Sequence, residues 1–171
     1  MEAKFKVINT VISELEKGYV IEVGILGEQA SSIHKVENEK GELVMPKQPL
    51  TNAFIGAVHE YGSISRNIPE RSFLRTPLAS RVPLLIKANV DTLVQYLATG
   101  RFKKWLEGMA IKAENVVREA FHTSGWGSWK DLKPATIRRR KKGKNGGSPL
   151  PLLDTGQLSD SITSRVVTNE D

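Results

Sequence analysis

The sequence predicts an α+β fold in a single domain, residues 1–171, and three observations carry that expectation. Phe102, Trp105, Leu106, Met109, Ala113, Val116, Val117, Ala120 and Phe121 fall on one stripe of helical period, which predicts a long amphipathic helix over about 102–122. The stretch YVIEVGIL at 19–26 is β-branched and alternating, which predicts a strand. A length of 171 residues, with 39% hydrophobic and 26% charged residues, suits one core of ordinary size.

Ahead of the strand, KVINTVISELEKG sets Val7 or Ile8, Val11, Ile12 and Leu15 at helical spacing and stops at Gly18. Residues 27–50 are polar and broken by Gly41, Pro46 and Pro49; within them HKVENEKGELVM predicts a hairpin turning at NEKG, in an insertion that projects from the domain. Phe54, Ala57, Val58 and Tyr61 recur at i, i+3, i+4 and i+7, so TNAFIGAVHEYG is expected to be a short helix buried on that face and ended by Gly62. His59 and Glu60 then lie away from the buried face or at its edge. SISRNIPERSFLRTP carries Pro69 and Pro77 and is expected as a loop.

One helix is predicted over 81–99, with Pro83 in its first turn and Gly100 at its exit. HTSGWGSW closes the long helix that follows. Residues 138–150 then form a flexible basic loop, because GKNGGS has nothing to pack with. In LLDTGQLSDSITSRVV, Asp154 or Thr155 suits an N-cap and Leu158 and Ile162 sit four apart on a short helix, and the tail SRVVTN is read as a last strand.

The net charge is +6, and it is concentrated: residues 130–148 hold eight Lys or Arg and one Asp, so the remainder is nearly neutral. Cysteine is absent, which excludes disulfides and thiolate metal sites. No segment has the apolar core of a leader, and no 18 apolar residues run together, so no membrane association is expected.

The pair His59-Glu60 opens the zinc-protease pattern H-E-x-x-H, but the position of the second histidine holds Ser63, and His34 and His122 are isolated. No metal site or cofactor is expected. Acid-base catalysis by His59 and Glu60 meets a geometric objection, since adjacent helical residues point about 100° apart. No nucleophile elbow and no phosphate-binding loop is present. The remaining chemical feature is the run Arg138, Arg139, Arg140, Lys141, Lys142 and Lys144, which reads either as a solvated segment or as a sequence-independent contact to duplex DNA. It lacks interleaved aromatics, which argues against single strands.

Three motifs, VHEYGSISRNIPERSFLR, WKDLKPATIRRRKK and PLLDTGQLSDSI, together resemble the virion morphogenesis proteins of tailed bacteriophages, the small tail-completion and head-tail joining proteins of the neck. The resemblance spans residues 57–162; in some relatives the second and third motifs precede the first. It implies a small, mostly antiparallel sheet flanked by helices. Also implied are a non-enzymatic role and assembly as a ring, commonly a hexamer, in the virion after assembly in the host cytoplasm. The implied neighbours are a portal-side connector and tail-terminator or tail-tube proteins.

Carried onto this chain, His59, Glu60, Tyr61 and Gly62 end a helix, and Ile68, Pro69, Arg71, Ser72, Phe73 and Leu74 form the loop packed beneath it. Trp129, Leu132, Pro134, Thr136 and Arg139 match the second motif; Leu153, Asp154, Thr155, Gly156, Leu158, Ser161 and Ile162 match the third. Arg71 is expected to bridge to Glu60 or to a neighbouring subunit. A ring would gather the basic runs and, if they face its lumen, present them to DNA. The alternative is a sequence-independent DNA-binding accessory protein.

Overall fold

The computed structural model describes residues 2–38, 40–142 and 148–168. The chain runs α1 (Glu2–Glu16), β1 (Val20–Gly24), α2 (Glu28–Ser31), β2 (Val36–Glu37), β3 (Leu43–Val44), α3 (Asn52–Tyr61), α4 (Arg75–Ala88), α5 (Val90–Ala98), α6 (Phe102–His122), α7 (Pro134–Lys142), α8 (Gln157–Asp160) and β4 (Thr163–Val167). The fold is α+β, as predicted. β1 pairs antiparallel with β4, from Val20↔Val167 to Gly24↔Thr163, and β2 with β3 in a separate two-stranded hairpin.

α6 is the axis of the molecule. The β1–β4 ladder, α4 and α5 all pack on it. Its buried stripe is Leu106, Met109, Ala110, Ala113, Val116, Val117, Ala120 and Phe121. Burying each of the larger of these side chains contributes about 1.5–3 kcal/mol. The last turns of α6 meet Phe73, Trp129, Leu152, Leu158 and Ile162 to make the core cluster. At its start, Phe102 and Trp105 leave the core stripe and stack on each other at 6.1 Å, with Tyr19 edge-on to Phe102.

The helix expected over 81–99 is two helices. Asn89 divides them: its Nδ2 donates to the Leu85 carbonyl at 2.7 Å, and its own carbonyl accepts from the Thr92 hydroxyl at 2.7 Å, so one residue closes α4 and opens α5. Pro83 accordingly sits inside α4, which begins earlier, at Arg75.

α3 forms where expected but buries the opposite face. Asn52, Gly56 and Glu60 point inward, while Phe54 is 44% and Tyr61 64% exposed. Gly56 explains the choice: a Cβ there would lie 2.6 Å from Ile25 Cδ1 and 3.5 Å from Phe73 Cζ, so α3 approaches the core through its glycine.

The segment 27–50 contains α2 and the predicted hairpin, and it is pinned to the body rather than simply projecting. Ile33 bridges Thr51, and Gln157 clamps Lys35 with two hydrogen bonds, from the Lys35 N–H at 3.0 Å and to its carbonyl at 2.8 Å. Among the described residues, no helix is long and apolar enough to cross a membrane.

Candidate functional site

The turn from α3 into α4 is organised by one carboxylate. Gly62 ends α3 at φ 72°, ψ 179°, a conformation essentially closed to side-chain-bearing residues. The chain then doubles back through a bridge between Ser63 and Ile68, and Arg71 N–H donates to the His59 carbonyl at 2.8 Å. This returns residues 72–75 to Glu60. A Cβ on Gly62 would lie 2.8 Å from the Glu70 nitrogen and 3.0 Å from the Ile68 oxygen. Gly62→Ala is therefore expected to destabilise the protein by about 1–3 kcal/mol, read as a lower urea midpoint with unchanged slope.

Glu60 is 3% exposed and accepts five hydrogen bonds. Ser72 Oγ donates at 2.7 Å, the N–H groups of Phe73, Leu74 and Arg75 at 2.8, 2.9 and 3.0 Å, and Arg75 Nε at 3.1 Å. The first N–H groups of a helix have no partner within it, and the position before α4 is Leu74, which offers no side-chain cap. Glu60 supplies the acceptor for the Arg75 N–H from another element, and Ser72 Oγ accepts from the Thr76 N–H at 3.0 Å. Burial alone would raise its pKa, but donation from Leu74, Ser72, Arg75 and Phe73 outweighs it and the carboxyl is held below its usual value.

The ion-pair partner of Glu60 is thus Arg75, not Arg71. Arg71 is buried and turns the other way, donating from Nε at 3.1 Å and Nη2 at 2.8 Å to the Lys130 carbonyl. It joins the loop to the segment leading into α7. Trp129 Nε1 adds a second tie, to the Ser72 carbonyl at 3.3 Å.

The basic run begins in a helix rather than a loop, since Arg138 to Lys142 are the last residues of α7. Its side chains divide. Arg138, Arg139 and Lys141 are exposed. Arg140 is not available as a surface contact: its side chain is 10% exposed, and its Nη1 donates to the carbonyls of Ser148 and Leu150 at 3.0 and 2.9 Å. Its Nε lies 3.0 Å from Asp154 Oδ1 as an ion pair, without a hydrogen-bonded direction. Lys144 lies outside the described residues.

Asp154 therefore serves Arg140 and does not cap α8. Thr155 does not cap it either; its hydroxyl accepts from Gln157 Nε2 at 2.8 Å, and the cap position is Gly156, in the left-handed region at φ 78°. Leu158 and Ile162 are both buried in the core, but only Leu158 is on the short helix expected to carry both, since α8 ends at Asp160. Leu158 also borders, with Leu132, His59, Arg71, Arg140 and Asp154, a cleft of about 610 Å³ bounded by α3, the β2–β3 hairpin and α7.

His59 borders this cleft. Burial first, then the charges of Arg71, His34 and Arg140, push its pKa down to about 4, so it is neutral at neutral pH. His34 donates from Nδ1 to Asn52 Oδ1 at 2.8 Å, a role fixed because Asn52 Nδ2 donates to the Gln29 carbonyl. Among the described residues no group of three or more His, Asp or Glu side chains is placed to hold a metal ion.

No family model, curated protein or solved structure matches this chain.

Sequence reasoning singled out Glu60, Phe73 and Trp129, and all three meet at the α3–α4 turn. It did not assign Arg75 to Glu60, nor Gln157 to the hairpin. One signal for the first was present: Ser72 can serve only one N–H of the helix that follows, that of Thr76, which leaves the Arg75 N–H needing another acceptor.

Proposed function

We propose that the chain is a structural protein of the tailed-phage neck, a tail-completion or head-tail joining protein that assembles as a ring and catalyses nothing. The motif resemblance motivates the reading, and one structural observation supports it: apolar surface is left uncovered on several elements. A cleft of about 620 Å³ is lined by Ile21, Val23, Leu26, Val82, Ile86 and Met109. The α1–α5 pair leaves Ile8, Ile12, Val90 and Val94 exposed, and α3 presents Phe54 and Tyr61. Apolar surface of this extent marks protein contacts. Uncovered faces on different elements suit head-to-tail contacts, which close into rings, better than one self-complementary patch.

In this reading the ring, hexameric by the resemblance, sits between a portal-side connector and the tail-terminator or tail-tube proteins of the virion. Exposed Arg138, Arg139 and Lys141 of α7 lie close to duplex DNA in its channel. The second reading, a sequence-independent DNA-binding accessory protein, rests on those same exposed cations.

Native mass measurement on the purified protein and on particles separates the two. The neck reading expects a closed oligomer, present in particles, that the double variant Ile12→Asp, Val94→Asp reduces to folded monomers. A monomer recovered only on DNA, and never in particles, would sink it.

A further inference from the structure

The cleft between α3, the β2–β3 hairpin and α7 carries an excess of positive charge among the described residues that line it. Among the described residues, five cations line it, Lys35, Arg66, Arg71, Arg139 and Arg140, against two carboxylates, Glu37 and Asp154. Two of the arginines are recessed. Arg71 spends Nε and Nη2 on the Lys130 carbonyl, and its Nη1 makes no hydrogen bond among the described residues. Arg140 is held by the carbonyls of Ser148 and Leu150 and by Asp154. Burial, then the charge of Arg140, already disfavours the cationic form of Arg71. Beside them, Nδ1 of His59 is buried with no hydrogen-bond partner among the described residues. At the mouth, Arg66 and Arg139 are exposed and make no ion pair among the described residues.

Apolar side chains complete the lining, Leu50, Phe54, Val58, Ile68 and Leu158, with the Arg66 guanidinium 5.8 Å over the Phe54 ring. A volume of about 610 Å³ with apolar lining and a few convergent polar groups has the dimensions of a small-ligand site. Recessed guanidinium groups that cannot be deprotonated favour a planar or tetrahedral oxyanion, which accepts from several N–H groups at once.

We propose that this cleft is a binding site for an organic anion, one carboxylate or phosphate group carried on an apolar body. The head group lies against Arg71 and Arg139 beside His59, and the apolar body lies along Phe54 and Val58. The site goes beyond the neck reading and does not depend on ring formation, since every group in it belongs to one chain.

The test is a two-dimensional NMR titration of the full-length protein at low salt with phenyl phosphate, 3-phenylpropionate, inorganic phosphate and phenol. Phenyl phosphate or 3-phenylpropionate is expected to give saturable shifts at His34, His59, Arg71 and Arg140, with affinity about tenfold or more above inorganic phosphate. Whichever of the two binds more tightly identifies the head group. Phenol is expected to leave these signals in place. Arg139→Gln, at an exposed position that the fold does not need, is expected to weaken binding about fivefold or more, while Arg138→Gln, outside the cleft, leaves it unchanged. Absence of saturable shifts up to about 10 mM ligand, equal binding of phenol, or equal loss in the Arg138 and Arg139 variants would each overturn the assignment.

Discussion

Glu60→Ala is expected to remove about 3–5 kcal/mol of stability, a large share of what a domain of this size has. The substitution strands the N–H groups of Phe73, Leu74 and Arg75, the Ser72 hydroxyl and one face of the Arg75 guanidinium, with the Ser72 and Phe73 donors buried. Glu60→Gln keeps the shape but loses the charge and turns one acceptor into a donor facing donors; about 2–3 kcal/mol is the expected loss. Arg75, half-exposed, contributes little of this. Equilibrium urea unfolding measures both variants. A Glu60→Gln protein within about 0.5 kcal/mol of the parent would show that the carboxylate is not the organising group.

The same residue sets part of the pH dependence. The folded pKa of Glu60 lies below its usual value, so its contribution is complete above about pH 4.5 and is lost as pH falls through the folded value. His59 acts in the same direction over a higher window. It is neutral in the fold down to about pH 4 but takes a proton near 6.5 once unfolded, so stability declines with falling pH across that interval. Stability measured against pH should therefore fall in two overlapping stages. In Glu60→Gln the lower stage flattens and the upper one persists.

Phe73→Ala is the second large effect, about 3–5 kcal/mol. Phe73 is fully buried, 5.0 Å from the Phe121 ring, with its edge over Gly56 of α3. Truncation opens a cavity where α3, α6 and the turn meet, and nothing adjacent is free to collapse into it. Phe73→Leu should lose less, by the volume it restores. Both losses should be flat with pH, unlike that of Glu60→Gln. Because the Phe73 N–H is itself a ligand of Glu60, the two sites share one turn, and the double variant should depart from additivity by about 0.5 kcal/mol or more. Strict additivity would mean that turn and core are separate units.

Much of this architecture is written in periodicity. The α6 stripe runs over 21 residues and leaves no competing pattern, and β1 and β4 are β-branched segments bounded by turn residues. What periodicity misread was α3, where the apolar positions Phe54 and Tyr61 face outward. Hydrophobic spacing identifies a helix and its apolar side, but the inward side here is chosen by a glycine and a carboxylate, which carry no hydrophobic signal. Asn89 was overlooked because a single polar residue inside a helical pattern looks like a solvated position until its amide is seen turned back on the backbone.

The misassigned partners have a common cause. Glu60 has Arg71 and Arg75 at short range in sequence, and charge alone does not choose between them. The direction of the returning chain does. Arg71 leaves the turn toward Lys130, and Arg75 begins α4 beside the carboxylate. Likewise Arg140 belonged to a run of six near-identical cations, and only the fold of residues 148–154 around it distinguishes it from Arg138 and Arg139.

The β1–β4 ladder has a further consequence, for the order in which the protein is made. Val20 pairs with Val167, so the ladder joins segments translated far apart in time. On the ribosome, β1 emerges early and waits with an unpaired edge while every helix from α2 to α8 is translated. The nascent chain has the means to settle α4, α5 and α6 against one another from contacts close in sequence, whereas the ladder cannot close before β4 is made.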